Sequence, residues 1–417
     1  APKTGLTPAG EGLEALSKRA THYNIPGEVE HLFSKILARS YAWLNSLSGI
    51  ETLSMFREDD TIAGSFQKII DFLKNEGVIQ EAWFSANRFN DAPAFIRFDI
   101  SARYPMDITD GKDIAKPMAH GFGRDMVSVM GQCIGEFLER YPLVLYHKKN
   151  LLYGSYASLH KRRHNPIALR SLAGFSEDQK NSYPPFQWNE ESAFWWEEAR
   201  RVSTGESVRI PAQLIYWNYV FQENEAHLGE RNTNGAGGYF TKEGAILSGL
   251  YELIQRDAFL IFWLNSLTPP QVDPESVPDE MFQEIYRSSL GAGCQADPAK
   301  ALRRALQEAW SVYHWMSPRP PYRLPEPYQP FRNHSIDQDE RLRLWVNPEM
   351  AEEYSFFLKG EKRNFYELEF DFPKEFSSPK HELSFLVERV ESRGRGYEVY
   401  AFLPRHPILS RLGYHSA

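Results

Sequence analysis

Apolar residues recur at helical spacing in two stretches near the start of the chain. The first covers residues 27–45; in the second, Ile62, Phe66, Ile69, Ile70 and Leu73 share one face and Gly77 ends the run. Two extended patterns follow, over 78–86 and 94–100. Aromatic and β-branched runs at 194–202 and 207–216 flank Thr204-Gly205-Glu206, which predicts a hairpin. Near the end, 381–391 is helical in pattern, Gly394 and Gly396 interrupt it, and 397–402 reads as a strand. Helices alternating with strands in this way predict an α+β (α/β-like) fold.

One unit occurs three times: a glycine-rich turn, a short gap, then a helix whose inner face carries a glutamate. The copies are His120-Gly121-Phe122-Gly123 leading to Glu136-Phe137-Leu138-Glu139-Arg140, Asn234-Gly235-Ala236-Gly237-Gly238 leading to Glu252-Leu253-Ile254-Gln255-Arg256, and Gly291-Ala292-Gly293 leading to Arg304 and Glu308. In the first two, polar residues at i, i+3 and i+4 share one helical face. A single copy is ordinary, since glycine occurs wherever backbone freedom is needed and an ExxER helix is usually an exposed face with ion pairs. Recurrence points to internal duplication and to a shared role.

That role is legible in the residue types. Ala245, Ser248, Gly249 and Glu252 lie on one helical stripe, whose small residues let another backbone or a nucleotide approach closely. A glycine-rich loop offers free backbone N–H groups, which suit phosphate oxygens. Glu136, Glu139 and Glu252 could together ligate Mg2+, a hard cation that takes carboxylate and phosphate oxygens. Arg140 and Arg256 could grip phosphate or hold those carboxylates. The combination points to ATP with Mg2+, though without a Walker loop, as no GxxxxGK[ST] occurs. HExxH, paired CxxC, GxSxG and a GxGxxG opening a βαβ unit are also missing, and Cys133, in an apolar helical setting, reads as a packing residue.

The 417 residues carry a net charge of -8, which leaves no basic footprint for nucleic acid. Only Cys133 and Cys294 are cysteines, in keeping with a reducing cytoplasm. The longest apolar run, 258–264, is too short to span a bilayer, and the N-terminus has no signal pattern, so no membrane association is expected. The chain begins at Ala1 rather than at a methionine, which leaves room for upstream residues. The basic cluster at 160–164 precedes the turn signal Asn165-Pro166 and reads as a solvated loop, and the six prolines of 317–330 read as a connector. A boundary near residue 110 separates an N-terminal accessory, partner-docking region (1–110) from one large domain (111–417).

These motifs resemble the YcaO family. The run from Asn234 through Thr241-Lys242-Glu243-Gly244-Ala245 to Glu252-Leu253-Ile254-Gln255-Arg256-Asp257-Ala258 is similar to that family's second ATP motif, and Gly135-Glu136-Phe137-Leu138-Glu139-Arg140 to its first. The hairpin at 204–212 and the third repeat match as well. The resemblance implies a YcaO-type fold in which Glu136, Glu139, Arg140, Asn234, Gly235, Glu243, Glu252, Gln255, Arg256, Arg304 and Glu308 bind ATP, with Glu136, Glu139 and Glu252 on Mg2+. It implies an ATP-dependent cyclodehydratase of the kind found in biosynthesis of azole-containing antibiotics and bacteriocins. There, a Cys, Ser or Thr side chain of a precursor peptide attacks the preceding amide, whose oxygen is then phosphorylated and lost. The implied partners are the precursor peptide, a ubiquitin-activating-enzyme-like subunit that holds its leader, and a flavin-dependent dehydrogenase.

Three positions depart from the family pattern: Gly244 replaces a glutamate, Gln255 replaces the last glutamate of ExxER, and Gln132 replaces a serine. A strand-containing stretch of the family is expected between Ser289 and Leu290, and a further strand with a proline-rich tail after Ala417. No catalytic base can be named from the residues given. Alternatives are a backbone thioamide- or amidine-forming enzyme, in which the nucleophile comes from elsewhere, and a scaffold subunit that keeps the fold without catalysis.

Overall fold

The computed structural model describes residues 62–85, 96–103, 118–123, 125–172, 176–182, 187–223, 225–229, 231–277, 291–316, 338–345, 350, 352–368, 372–373 and 375–417. The expected helix at 27–45, the connector at 317–330 and the junction of Ser289 with Leu290 lie outside these residues. The chain divides into two compact units, 1–72 and 73–417. Helix α1 (Ile62–Asn75) carries the predicted apolar stripe. It ends as expected: Gly77 adopts a φ of 69°, and Val78 N–H closes the turn on the Leu73 carbonyl at 2.8 Å.

In the unit 73–417, strands β1 (Ile79–Ser85), β2 (Ile96–Ala102) and β3 (Met118–Gly123) form an antiparallel sheet in that order, drawing on both sides of residue 110. The register sets Phe98 between Phe84 and Gly121, and Ile100 between Ala82 and Ala119. Both faces of β2 are buried, so its polar residue Asp99 needs a partner; Arg97 supplies one through Nε and Nη2 at 2.9 and 2.7 Å. Helix α2 (Met126–Arg140) starts at Asp125, whose carboxylate accepts from Ser128 N–H. Val129, Met130, Cys133, Ile134, Phe137 and Leu138 form its buried stripe.

A second sheet is built on β5 (Ala193–Arg201). Along one edge lies β6 (Ser207–Pro211); along the other lie β4 (Leu152–Ser155) and, further on, β10 (Tyr400–Ala401). The predicted hairpin is present, with Gly205 at a φ of 74°. Its second strand stops at Pro211 rather than running to 216, because proline has no N–H to extend the ladder and the chain turns into a short 3-10 helix, Ala212–Leu214. The strand expected over 397–402 likewise shrinks to two residues. Residues 160–165 are exposed as expected, but His160 and Lys161 end a short helix (Tyr156–Lys161) and only the residues after them form a turn, with Arg163 and Asn165 at positive φ.

Besides short helices at Tyr156–Lys161, Glu177–Ser182 and Gln338–Trp345, the elements that bear on the site are β7 (Gly238–Tyr239), α3 (Lys242–Leu264), β8 (Gln271–Val272), α4 (Pro298–Met316), β9 (Lys362–Arg363), α5 (Pro379–Glu391), α6 (Pro407–Leu412) and β11 (His415–Ser416). Strands β8 and β9 pair in parallel, and β7 and β11 antiparallel. Leu247, Leu250 and Tyr251 of α3 pack on Leu383, Leu386 and Val387 of α5, and Tyr251 donates a hydrogen bond to Glu382. Mixed helix and sheet is thus the architecture, as the hydrophobic pattern predicts. Among the described residues no helix is long and apolar enough to cross a membrane.

Candidate functional site

The three repeats superpose on one internal register. Gly121, Gly237 and Gly293 each face a helix backbone so closely that a β-carbon would overlap the carbonyl oxygen of Val129, Ala245 and Ala301 respectively. Gly291 adds a second contact of this kind against the Ala305 carbonyl, and in the second repeat the helix residue Gly249 makes the reciprocal one, where a β-carbon would overlap the Gly235 carbonyl. The glycines therefore let an extended segment lie directly on the helix that follows it. Ala245 and Gly249 of the small-residue stripe receive backbone, the first of the two uses expected of them.

Of the N–H groups that the second loop was expected to offer, three are already taken within the protein. Asn234 N–H donates to Asn232 Oδ1, Ala236 N–H to the Thr233 carbonyl, and Gly237 N–H to the Ala417 carbonyl. Glycine content alone cannot tell which backbone or ligand comes close. Asn234 and Gly235 instead line a cavity with Ile246, Leu250, Leu253 and Phe402.

The same register aligns Glu136, Glu252 and Glu308, one per repeat. Glu136 accepts His120 N–H at 2.8 Å and Glu308 accepts Ala292 N–H at 3.1 Å, so each ties its helix to the extended segment before it. In the second repeat the matching amide, Ala236, is taken by the Thr233 carbonyl at 3.0 Å, and Glu252 is not used as a buttress. Arg256 holds Glu252 instead, through Nε and Nη2 at 2.9 and 2.7 Å. Arg140 pairs with Glu136 at 2.8 Å and lies over the Trp217 ring. Its Nε is buried with no hydrogen-bond partner among the described residues.

Helices α2, α3 and α4 direct these groups toward one another. The Glu139 carboxyl is pushed up to about 7, chiefly by desolvation; Arg140 and Arg304 pull it down, while Glu136 and Glu252 push it up. Glu308 is also raised, first by desolvation, with Arg256 and Arg304 opposing and Glu252 adding to the shift. Glu136, Glu139, Arg140, Glu252, Arg256, Arg304 and Glu308 thus share one electrostatic neighbourhood. Gln255 occupies in the second repeat the place of Glu139 in the first, and removes one charge from it. Glu243 stands apart: it is nine residues before Glu252, about 13 Å along the helix axis, where it faces His415.

As they stand, no three His, Cys, Asp or Glu among the described residues are close enough to hold a metal ion. The arginines and strand amides hold three of the four glutamates. The chemistry nonetheless suits Mg·ATP: hard carboxylate oxygens, one carboxyl having its pKa raised chiefly by burial, with arginines close by for phosphate. Gly244 lies under the Tyr239 ring, so a side chain there would have to displace that ring. This steric relation, which the sequence did not reveal, accompanies the loss of the glutamate that the resemblance leads one to expect. Cys133 is fully buried, its Sγ donates to the Ala119 carbonyl at 3.4 Å, and burial pushes its thiol up, all consistent with a packing role.

The Glu139 shift has a measurable sign. Its folded-state pKa lies above the ordinary 4.5, so its contribution to stability is full below about 4.5 and is lost as pH rises through about 7. Glu139→Gln should therefore flatten the pH dependence of the denaturation midpoint between those values, measured without divalent cations. An unchanged profile would show that the carboxyl titrates normally.

Comparison with known proteins is consistent with this geometry. Residues 121–288 and 284–415 match the family model described as YcaO cyclodehydratase, ATP- and Mg2+-binding. A heterocyclase solved in complex with substrate and cofactor is similar over 84% of this chain and 51% of its own, with a TM-score of 0.61 and 16% identity. The YcaO protein of Methanopyrus kandleri, solved with AMPPCP and Mg2+, is similar over 87% of this chain and 90% of its own, with a TM-score of 0.56 and 15% identity. An uncharacterised protein of Methanothermobacter thermautotrophicus is 28% identical over 100 residues, 24% of this chain and 26% of that one. The chain thus spans about a quarter of that relative and about half of the heterocyclase.

Proposed function

The chain belongs to the YcaO family of ATP- and Mg2+-binding cyclodehydratases, and we propose that it is the ATP-dependent subunit that closes azoline rings in a precursor peptide. The observation that carries this is the gathering of Glu136, Glu139, Glu252 and Glu308 with Arg140, Arg256 and Arg304 from three repeats. In this reading Glu136, Glu139 and Glu252 would hold Mg2+, while Arg140, Arg256 and Arg304 would face phosphate oxygens and neutralise charge that develops there. Bound ATP supplies the phosphoryl group that converts an amide oxygen, a poor leaving group, into phosphate.

The substrate side chain forms the new bond. A Cys, Ser or Thr heteroatom adds to the preceding carbonyl carbon and loses its proton; the carbonyl oxygen takes the phosphoryl group and departs as phosphate, and the amide nitrogen forms the ring double bond as its proton leaves. The peptide loses one water and ATP becomes ADP and phosphate. The protein's part is to position the two reactants and exclude water. Residues 1–110 are the docking region in this proposal, the leader peptide is held by a ubiquitin-activating-enzyme-like subunit, and a flavin-dependent dehydrogenase oxidises the product.

Mass spectrometry of a precursor peptide incubated with the assembled complex, ATP and Mg2+ tests this. A loss of one water per ring, with matching phosphate release, is expected. Exchange of oxygen for sulfur would select thioamide formation. No mass change and no phosphate release would select the scaffold, the reading that Tyr239 over Gly244 and the neutral Gln255 favour.

A further inference from the structure

We infer that Tyr414 and Ser416 are positioning residues of the Mg·ATP site, joining the helix of the first repeat to the strand and helix of the second. The inference rests on the nucleotide-binding reading above and adds to it an element outside the three repeats. Helix α6 ends at Gly413, which adopts a φ of 63°, and Tyr414 N–H returns to the Leu409 carbonyl at 3.0 Å. This αL turn, which favours glycine, sends residues 414–417 back between two repeats.

On one side the segment is fixed to the second repeat by main chain. His415 and Ser416 pair with Tyr239 and Gly238, and Ala417 exchanges two hydrogen bonds with Gly237, at 2.8 and 3.0 Å. On the other side it is fixed to the first repeat by two hydroxyls. Tyr414 Oη donates to the Gly135 carbonyl at 3.3 Å, and Ser416 Oγ to the Glu139 carbonyl at 2.8 Å. Both acceptors lie in the part of α2 that carries Glu136, Glu139 and Arg140. The Tyr414 ring fills the space beside Gly238 and meets the edge of Phe240 at 5.4 Å. Ser416 is 1% exposed and Tyr414 is 7% exposed, so neither hydroxyl has ready access to solvent as an alternative partner.

The segment therefore links α2, with Glu139, to β7, which leads directly into α3 with Glu252. A cation shared by carboxylates of different helices needs those helices at a fixed separation, and supporting bonds of this kind typically change metal affinity about 10–100-fold. Neither residue touches the ligand; each acts through the backbone that carries a ligand group.

The test is a titration of the full chain with a non-hydrolysable ATP analogue, with Mg2+ and with a chelator. It compares wild type, Tyr414→Phe, Ser416→Ala, the double variant and the conservative Ser416→Thr, with thermal midpoints recorded for each. The expected result is Mg2+-dependent affinity weakened about tenfold or more in the double variant, less in each single one, and restored in Ser416→Thr. Unchanged Mg2+-dependent affinity in the double variant, with or without a lower midpoint, overturns the inference and leaves the nucleotide site standing. No binding by wild type removes the nucleotide site itself, and the inference with it.

Discussion

Replacing Glu252 by alanine is expected to lower ATP turnover by about 10²–10³-fold, the cost typical of losing one preorganised charged group at a reacting centre. Glu252 is the informative choice because its fold duties are light. Its repeat equivalents, Glu136 and Glu308, each accept a strand amide, so truncating them would leave His120 N–H or Ala292 N–H without its acceptor. Among the described residues Glu252 bonds only Arg256, and that arginine is 45% exposed and can be solvated when its partner is gone. Glu252→Ala should thus keep the wild-type circular dichroism and denaturation midpoint while phosphate release collapses. Turnover within a few-fold of wild type would remove Glu252 from the site.

Gly121→Ala is expected to be among the most destabilising single substitutions in the unit 73–417, at about 3 kcal/mol or more, the upper range for overpacking. The added methyl group would fall on the Val129 carbonyl and close to the Cys133 amide, both backbone atoms of α2 that cannot rotate away. Relief requires α2 to separate from β3, and that interface buries Ala119, Phe122, Val129 and Cys133. Chemical denaturation or soluble yield will show the effect. Gly205→Ala makes a useful contrast, since a β-carbon there meets nothing and only the positive φ of 74° opposes it. Its cost should be near 1 kcal/mol. Equal effects at the two sites would mean that close packing is not what Gly121 provides.

Much of this was legible in the sequence where a residue's role is local. The apolar stripe of α1, its stop at Gly77, the hairpin around Gly205 and the face shared by Glu136, Glu139 and Arg140 all follow from periodicity and turn chemistry. The repeated glycine-turn-helix unit was visible too, but its physical role was not. Glycine records that something approaches closely, and at Gly121, Gly237 and Gly293 that something is the following helix rather than a phosphate.

The features that were hidden are long-range. Strands β7 and β11 have two residues each, too few to show alternation, yet their pairing brings Ser416 to Glu139 across most of the domain. The Tyr239 ring over Gly244 could not be anticipated from either residue. Nor could Glu139 be singled out from the neighbouring glutamates, because its raised pKa comes chiefly from burial, which depends on how the rest of the chain packs around it.

The central claim is that the repeats converge on one Mg·ATP site. Isothermal titration of the chain with a non-hydrolysable ATP analogue, in Mg2+ and then in excess chelator, tests it most directly, with Glu252→Ala as the control. Saturable binding that weakens without Mg2+ and is largely lost in Glu252→Ala is the predicted result. Absence of binding, or binding indifferent to both Mg2+ and Glu252, would contradict it.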